Sequence, residues 1–147
     1  MAALSDLDRM LVEHACIKLV NQYAYASDRG DYVALANMYT EDGLFARPTA
    51  PEQPLTSRAD ILAGFQKRPP STGRHVMTNT VIEVVSATEA TGECYIVLYR
   101  GPPPGEDGAL PAMNPVPLVG QFKDRFVKVD GQWLFKERRG SLAYAAG

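Results

Sequence analysis

Between Ser5 and about Ser27, Leu7, Leu11, Ile17, Val20 and Ala24 recur at roughly a helical period, which predicts an amphipathic helix with one buried face. Ser5 is placed to cap it, Asp6 and Asp8 suit the positive helix end, and Asp8 completes a capping-box spacing with Ser5. Ser27-Asp28-Arg29-Gly30-Asp31 breaks the run. Gly30 suits a C-terminal reversal, and Asp31 suits capping a second helix over Tyr32 to Tyr39, so the two helices are expected to form a hairpin. Glu41-Asp42-Gly43 punctuates the chain before a short strand, Leu44 to Arg47, and the prolines between Pro48 and Pro54 predict an irregular segment. Ser57 with Asp60 marks the start of a third helix, with Ile61, Leu62 and Phe65 as its apolar face and Pro69-Pro70 as its limit.

Beyond Pro70 the pattern changes to alternating runs rich in β-branched and aromatic residues. They predict four strands: Val76 to Val85, Ala90 to Arg100, Leu118 to Val129 and Gln132 to about Leu142. Asp130-Gly131 is a strong hairpin turn and Ser86 to Glu89 a shorter connection. Gly101 to Pro117, with six prolines, predicts a long irregular excursion, either a cover over a pocket or an inert surface or dimer arm. This order predicts an α+β fold: a cone-shaped, curved, mixed but mainly antiparallel sheet packed against three N-terminal helices, with an open mouth. Residues 1–147 are read as a single domain, since the length is that of one ordinary domain and no internal repeat is evident.

Composition narrows the class without naming a chemistry. The hydrophobic fraction of 46% and charged fraction of 22% are those of a soluble globular protein, and 15 basic against 17 acidic residues give a net charge of -2. Lys67-Arg68 and Arg138-Arg139 are isolated pairs rather than a basic stripe, so nucleic acid is not an expected partner. The charges scattered from Asp6 to Lys18 predict neither a secretory signal nor a membrane span, hence a cytoplasmic protein. Cys16 and Cys94 lack a metal-binding spacing and read as reduced core thiols.

His75 is the most informative position, because it opens a strand-like run and imidazole is the side chain that titrates unaided near neutral pH. Asp28, at the end of the first helix, can accept a hydrogen bond from its ring if that helix crosses the sheet at His75. The competing readings are a turn aspartate and a hydrogen-bonded strand histidine. His14 falls within the apolar spacing of the first helix and reads as a packing or rim residue. Phe45, with Met77, Tyr95, Tyr99, Phe122, Phe126, Trp133 and Phe135, supplies apolar lining, divided by strand alternation between a cavity and other contacts. Arg100 and Arg138 are candidates for orienting a substrate carboxylate or oxyanion, against a bland reading as ion-paired strand residues.

Four marks carry a family resemblance: Tyr23-x-x-x-x-Asp28-x-Gly30-Asp31 after the first helix, Asp42-Gly43, His75 before the long hairpin, and Asp130-Gly131-Gln132-Trp133 leading to Arg138. Over nearly the whole chain it resembles the SnoaL-like branch of the nuclear transport factor 2-like superfamily, which includes scytalone dehydratase, steroid isomerases and bile-acid dehydratases. The resemblance implies a catalytic His75, an acidic partner in Asp28, and in Tyr23 a phenol that assists at the substrate carbonyl, although Tyr25 and Tyr39 lie nearby. Phe45, Arg100 and Arg138 are then expected at the substrate. It departs from scytalone dehydratase where Arg100 falls about where a second histidine would lie and Ser27 stands in place of the tyrosine before the aspartate. The implied function is a cofactor-independent and metal-independent dehydratase acting on a hydrophobic cyclic or aromatic β-hydroxy carbonyl compound. Its alternatives are an isomerase or polyketide cyclase with the same base, or a noncatalytic small-molecule-binding module. A homodimer through the convex sheet face is also implied, with no membrane partner.

Overall fold

The computed structural model describes residues 3–145. Its first helix, α1 (Asp6–Arg29), begins with a complete capping box: Ser5 Oγ accepts the Asp8 backbone N–H at 3.0 Å, and the Asp8 carboxylate accepts that of Ser5 at 3.1 Å. It ends at Gly30, whose φ of 71° is the left-handed turn that glycine, lacking a Cβ, adopts without strain. The helix runs slightly past the expected end; of the anticipated stripe Val20 and Ala24 are buried, with Val12, Cys16, Leu19, Tyr23 and Ala26, and Ile17 packs against the core, whereas Leu7 and Leu11 lie off the buried face. Leu7 is 64% exposed and Leu11 58%.

The second helix, α2 (Tyr32–Ala36), is capped by Asp31 as expected but is much shorter. Its continuation is pre-empted because the Phe135 N–H donates to the Met38 carbonyl at 2.7 Å, drawing the chain into the sheet. The first strand, β1 (Tyr39–Ala46), therefore starts before Glu41-Asp42-Gly43, which is a bulge within the strand and not a break ahead of it. A two-residue strand that the sequence pattern did not announce, β2 (Leu55–Thr56), pairs with β1 and leads into α3 (Arg58–Gln66), where Ser57 Oγ accepts the Asp60 N–H. The remaining strands are β3 (Thr72–Val84), β4 (Glu89–Gly101), β5 (Leu118–Val129) and β6 (Gln132–Leu142). His75 thus lies inside β3, which begins earlier than expected.

All six strands form one sheet in the order β2-β1-β6-β5-β4-β3, antiparallel except for the parallel β1–β6 pair. Three helices cover its concave side, which bears out the expected α+β architecture. Asp130 and Gly131 both have positive φ, the signature of the tight turn that matches strand twist between β5 and β6. Farther along this hairpin Arg125 pairs with Glu137 while Phe126 pairs with Phe135, leaving Lys136 as the extra residue of a bulge. Phe135 and Arg138 stand at an odd separation, so strand alternation would send them to opposite faces; the bulge turns both into the core.

β5 and β6 also approach closely at Gly120, where an added Cβ would lie 2.2 Å from the Ser141 backbone oxygen. Neither strand can retreat without breaking its ladder. Gly120→Ala is expected to lower unfolding free energy by roughly 1–3 kcal/mol through overpacking. An unchanged urea midpoint with an unchanged m-value would contradict this contact.

Candidate active site

β3 is an edge strand, so half of its backbone N–H groups have no neighbouring strand to bond. The end of α1 lies against that edge and supplies an acceptor: the Asp28 carboxylate takes the His75 backbone N–H at 3.1 and 3.2 Å from its two oxygens. The same carboxylate reaches the ring, with Asp28 Oδ1 2.6 Å from His75 Nδ1. An ionised carboxylate accepts only, so this contact places a proton on Nδ1 and, in the neutral ring, leaves Nε2 as a free base. Both side chains are nearly but not fully buried, at 13% and 11% exposure.

His75 lines a cavity of about 230 Å³ in the mouth of the cone, among apolar residues that include Phe45, Phe65, Ile96, Leu98 and Phe122. Tyr23 lines it too. Its hydroxyl lies 2.9 Å from that of Tyr39, and its ring meets Tyr39 and Phe135 edge-on. Burial pushes the Tyr23 phenol up to about 12, the Arg138 charge opposing the shift, and burial drives Tyr39 well above the usual phenol range. Both remain protonated donors at neutral pH. Asp28 stands behind His75 and is not itself part of the cavity wall.

The other expected site residues divide. Phe45 and Arg100 line the cavity. Arg138 does not: it is 0% exposed, and its guanidinium lies behind the wall, 4.5 Å from the Tyr23 ring centroid, 4.1 Å from Phe122 and 4.7 Å from Phe135. Its Nε is 3.0 Å from Asp124 Oδ1, but the N–H is not aimed at the oxygen, so the contact is an ion pair without an aligned hydrogen bond. Burial raises the Asp124 carboxyl to about 6 against the pull of Arg138; burial alone would weaken the Arg138 charge, which Asp124 upholds. This buried charge pair supports the wall from behind, where substrate contact had been anticipated.

Of the expected aromatic lining, Phe122 reaches the cavity, Phe126 and Phe135 are core, and Tyr95 and Tyr99 are exposed on the other face of the sheet. His14 is exposed, away from the site. No residue of 101–117 lines the cavity, and within this segment Leu110 is 95% exposed. Cys16 and Cys94 are free and buried. Among the described residues no group of three or more His, Cys, Asp or Glu is placed to hold a metal, and no helix is long and apolar enough to cross a membrane. Tyr39 had been noted as a nearby tyrosine, whereas sequence reasoning missed Arg47 and Arg68 as neighbours of the site. The available signal was the cone itself, since Arg47 follows β1 and Arg68 follows α3, two ends that a closed-bottomed sheet directs to one mouth.

A profile of the SnoaL-like domain matches residues 8–139. Among solved structures, a protein from Novosphingobium aromaticivorans carrying the provisional name scytalone dehydratase aligns with a TM-score of 0.76 and 25% identity, over 97% of this chain and 94% of that one. A nuclear transport factor 2-like protein with a cystatin-like fold, from the same organism, aligns at 0.74 and 21% identity, over 100% and 94% of the two chains. A type 2 hexachlorocyclohexane dehydrochlorinase (LinA) aligns at 0.77 and 20% identity, over 97% and 95%. No curated protein sequence matches the chain significantly.

The Asp124–Arg138 pair yields a stability test. Asp124→Ala leaves an unpaired buried guanidinium and is expected to cost about 3–5 kcal/mol, whereas Asp124→Leu combined with Arg138→Met should recover most of that loss. Denaturant unfolding reads both. A neutral single substitution would mean that the pair does not hold the wall.

Proposed function

Because the chain belongs to the SnoaL-like domain family, we propose that it is a cofactor-independent hydro-lyase removing water from a hydrophobic cyclic or aromatic β-hydroxy carbonyl compound. The observation that carries this reading is the 2.6 Å contact between Asp28 Oδ1 and His75 Nδ1 at the wall of an apolar cavity. With Nδ1 protonated, His75 Nε2 takes the proton beside the substrate carbonyl, and the electron pair moves into the carbonyl oxygen as an enolate. The 2.9 Å Tyr23–Tyr39 contact can run in either direction, and in the reading proposed here Tyr39 is the donor, so that the Tyr23 O–H is free to donate to that enolate. The enolate then collapses to the alkene, the hydroxyl departs, and imidazolium returns its proton to release water. Asp28 holds the tautomer and offsets the transient imidazolium charge. The provisional name of the 25%-identical neighbour points to the same reaction class.

A homodimer through the convex face is part of this reading. Val76, Tyr95 and Tyr99 are exposed there at 44%, 53% and 39%, and strand pairing sets them beside one another on that face. The two buried, unpaired cysteines suit a reducing, cytoplasmic setting.

Incubation with a panel of one- and two-ring β-hydroxy ketones, followed by mass spectrometry, should show loss of one water. His75→Ala is expected to lower kcat by about 10²–10⁴-fold, and Asp28→Asn by a similar factor through the wrong tautomer. Products isomeric with the substrate would replace dehydration by isomerisation, and full turnover in folded His75→Ala would remove the base. Sedimentation at micromolar concentration is expected to give twice the chain mass, with Tyr95→Glu shifting the protein to monomer. A monomer in the unsubstituted chain would contradict the interface.

A further inference from the structure

Three arginines line the cavity that holds His75: Arg47 just past β1, Arg68 just past α3, and Arg100 near the end of β4. Arg47 and Arg100 are exposed, whereas Arg68 is half-buried with its guanidinium 4.0 Å from the Phe65 ring centroid. Among the described residues no carboxylate lies within ion-pair distance of any of the three. The cavity wall contains no Asp or Glu, and the nearby Asp28 is taken by His75.

Three like charges converging on one small apolar space is an unfavourable arrangement for a protein whose net charge is -2. Burial lowers the Arg68 pKa, and the Arg47 and Arg100 charges lower it further, so these groups sense one another. An ordinary structural use would pair such arginines with acidic side chains, as Arg138 is paired with Asp124. Here the charges are kept on residues that line the space a ligand would fill, and among the described residues they have no carboxylate counterion. A guanidinium fork suits the two oxygens of a carboxylate or phosphate, and low-dielectric walls strengthen the attraction.

We propose that Arg47, Arg68 and Arg100 form an oxyanion-binding rim, so that the ligand of this cavity is an apolar ring compound bearing a carboxylate or phosphate group. The inference rests on the cavity being the substrate site of the reading above and specifies that substrate as an organic anion. The apolar body lies against Phe45, Phe122 and Leu98 near His75, and the charged group is held at the arginines. The rim selects charged over neutral compounds of the same shape and sets which end of the molecule meets the base.

Calorimetric titration with 2-naphthoate, 2-naphthyl phosphate and the neutral 2-naphthamide tests this without turnover. At least one of the two anions is expected to bind ~10-fold or more tightly than the amide, with the preference shrinking as salt rises. Whichever of the two binds better identifies the oxyanion. Arg68→Gln should bring the ratio close to one; Arg68→Lys should retain part of it; Arg100→Gln, at an exposed position, should also lower the ratio and gives a second reading should Arg68→Gln melt early by circular dichroism. Anions binding no better than the amide, or a preference that survives removal of all three arginines, would overturn the rim. His75→Ala should keep the preference. In the unsubstituted protein, absent dehydration with an intact anion preference therefore contradicts only the catalytic reading, and dehydration without an anion preference contradicts only this one.

Discussion

A single carboxylate joins the helical layer to the open edge of the sheet. Asp28 sits at the last turn of α1, where the chain reverses through Gly30, and it accepts both the backbone N–H and the ring nitrogen of His75 on β3. The backbone contact occupies a donor on the sheet's edge, where an unpaired N–H is a liability. The ring contact fixes which imidazole nitrogen stays free. Structural satisfaction and chemical readiness therefore come from the same two oxygens, and the rest of the cavity is arranged around their result.

Support for this arrangement comes from charge placed where substrate does not reach. The bulge at Lys136 shifts the β5–β6 register so that Asp124 faces Arg138. Carrying the turn's register onward without it would set Asp124 opposite Glu137, a like-charge pair, and send Arg138 to the other face of the sheet. The Arg138 plane in turn backs Tyr23 and Phe122, both of which form the cavity wall. Arg47, Arg68 and Arg100 differ in kind, because they line the cavity and, among the described residues, have no carboxylate within ion-pair distance.

Much of this was readable in the chain, and the failures share a cause. The caps at Ser5, Asp31 and Ser57, the reversal at Gly30 and the turn at Asp130-Gly131 are local chemistry, so sequence spacing located them. The fold class followed from the change of hydrophobic period after Pro70. Glu41-Asp42-Gly43 read as a break because bulges and turns use the same residues, and only the pairing of β1 with β6 distinguishes them. The first turns of the α1 face were misjudged, though Val20 and Ala24 were placed correctly, because Leu7 and Leu11 are as apolar as Val12 and Cys16; which stripe is buried there depends on where the helix crosses the sheet. Arg138 was expected at the substrate because its charge partner is fourteen positions away and the register that joins them contains the bulge. Arg47 and Arg68 were not read as site residues because one ends a predicted strand, the other belongs to the isolated Lys67-Arg68 pair, and only the cone brings their ends together.

Nitrogen NMR of the His75 ring, comparing the protein with its Asp28→Asn form near neutral pH, addresses the carboxylate's control of the imidazole most directly. A neutral ring protonated at Nδ1, with Nε2 free and the Nδ1 proton moved strongly downfield by the carboxylate, is the expected result, and Asp28→Asn should abolish that proton signal. A ring protonated at Nε2, or one whose spectrum is unchanged by Asp28→Asn, would show that the helix-end carboxylate does not set the base.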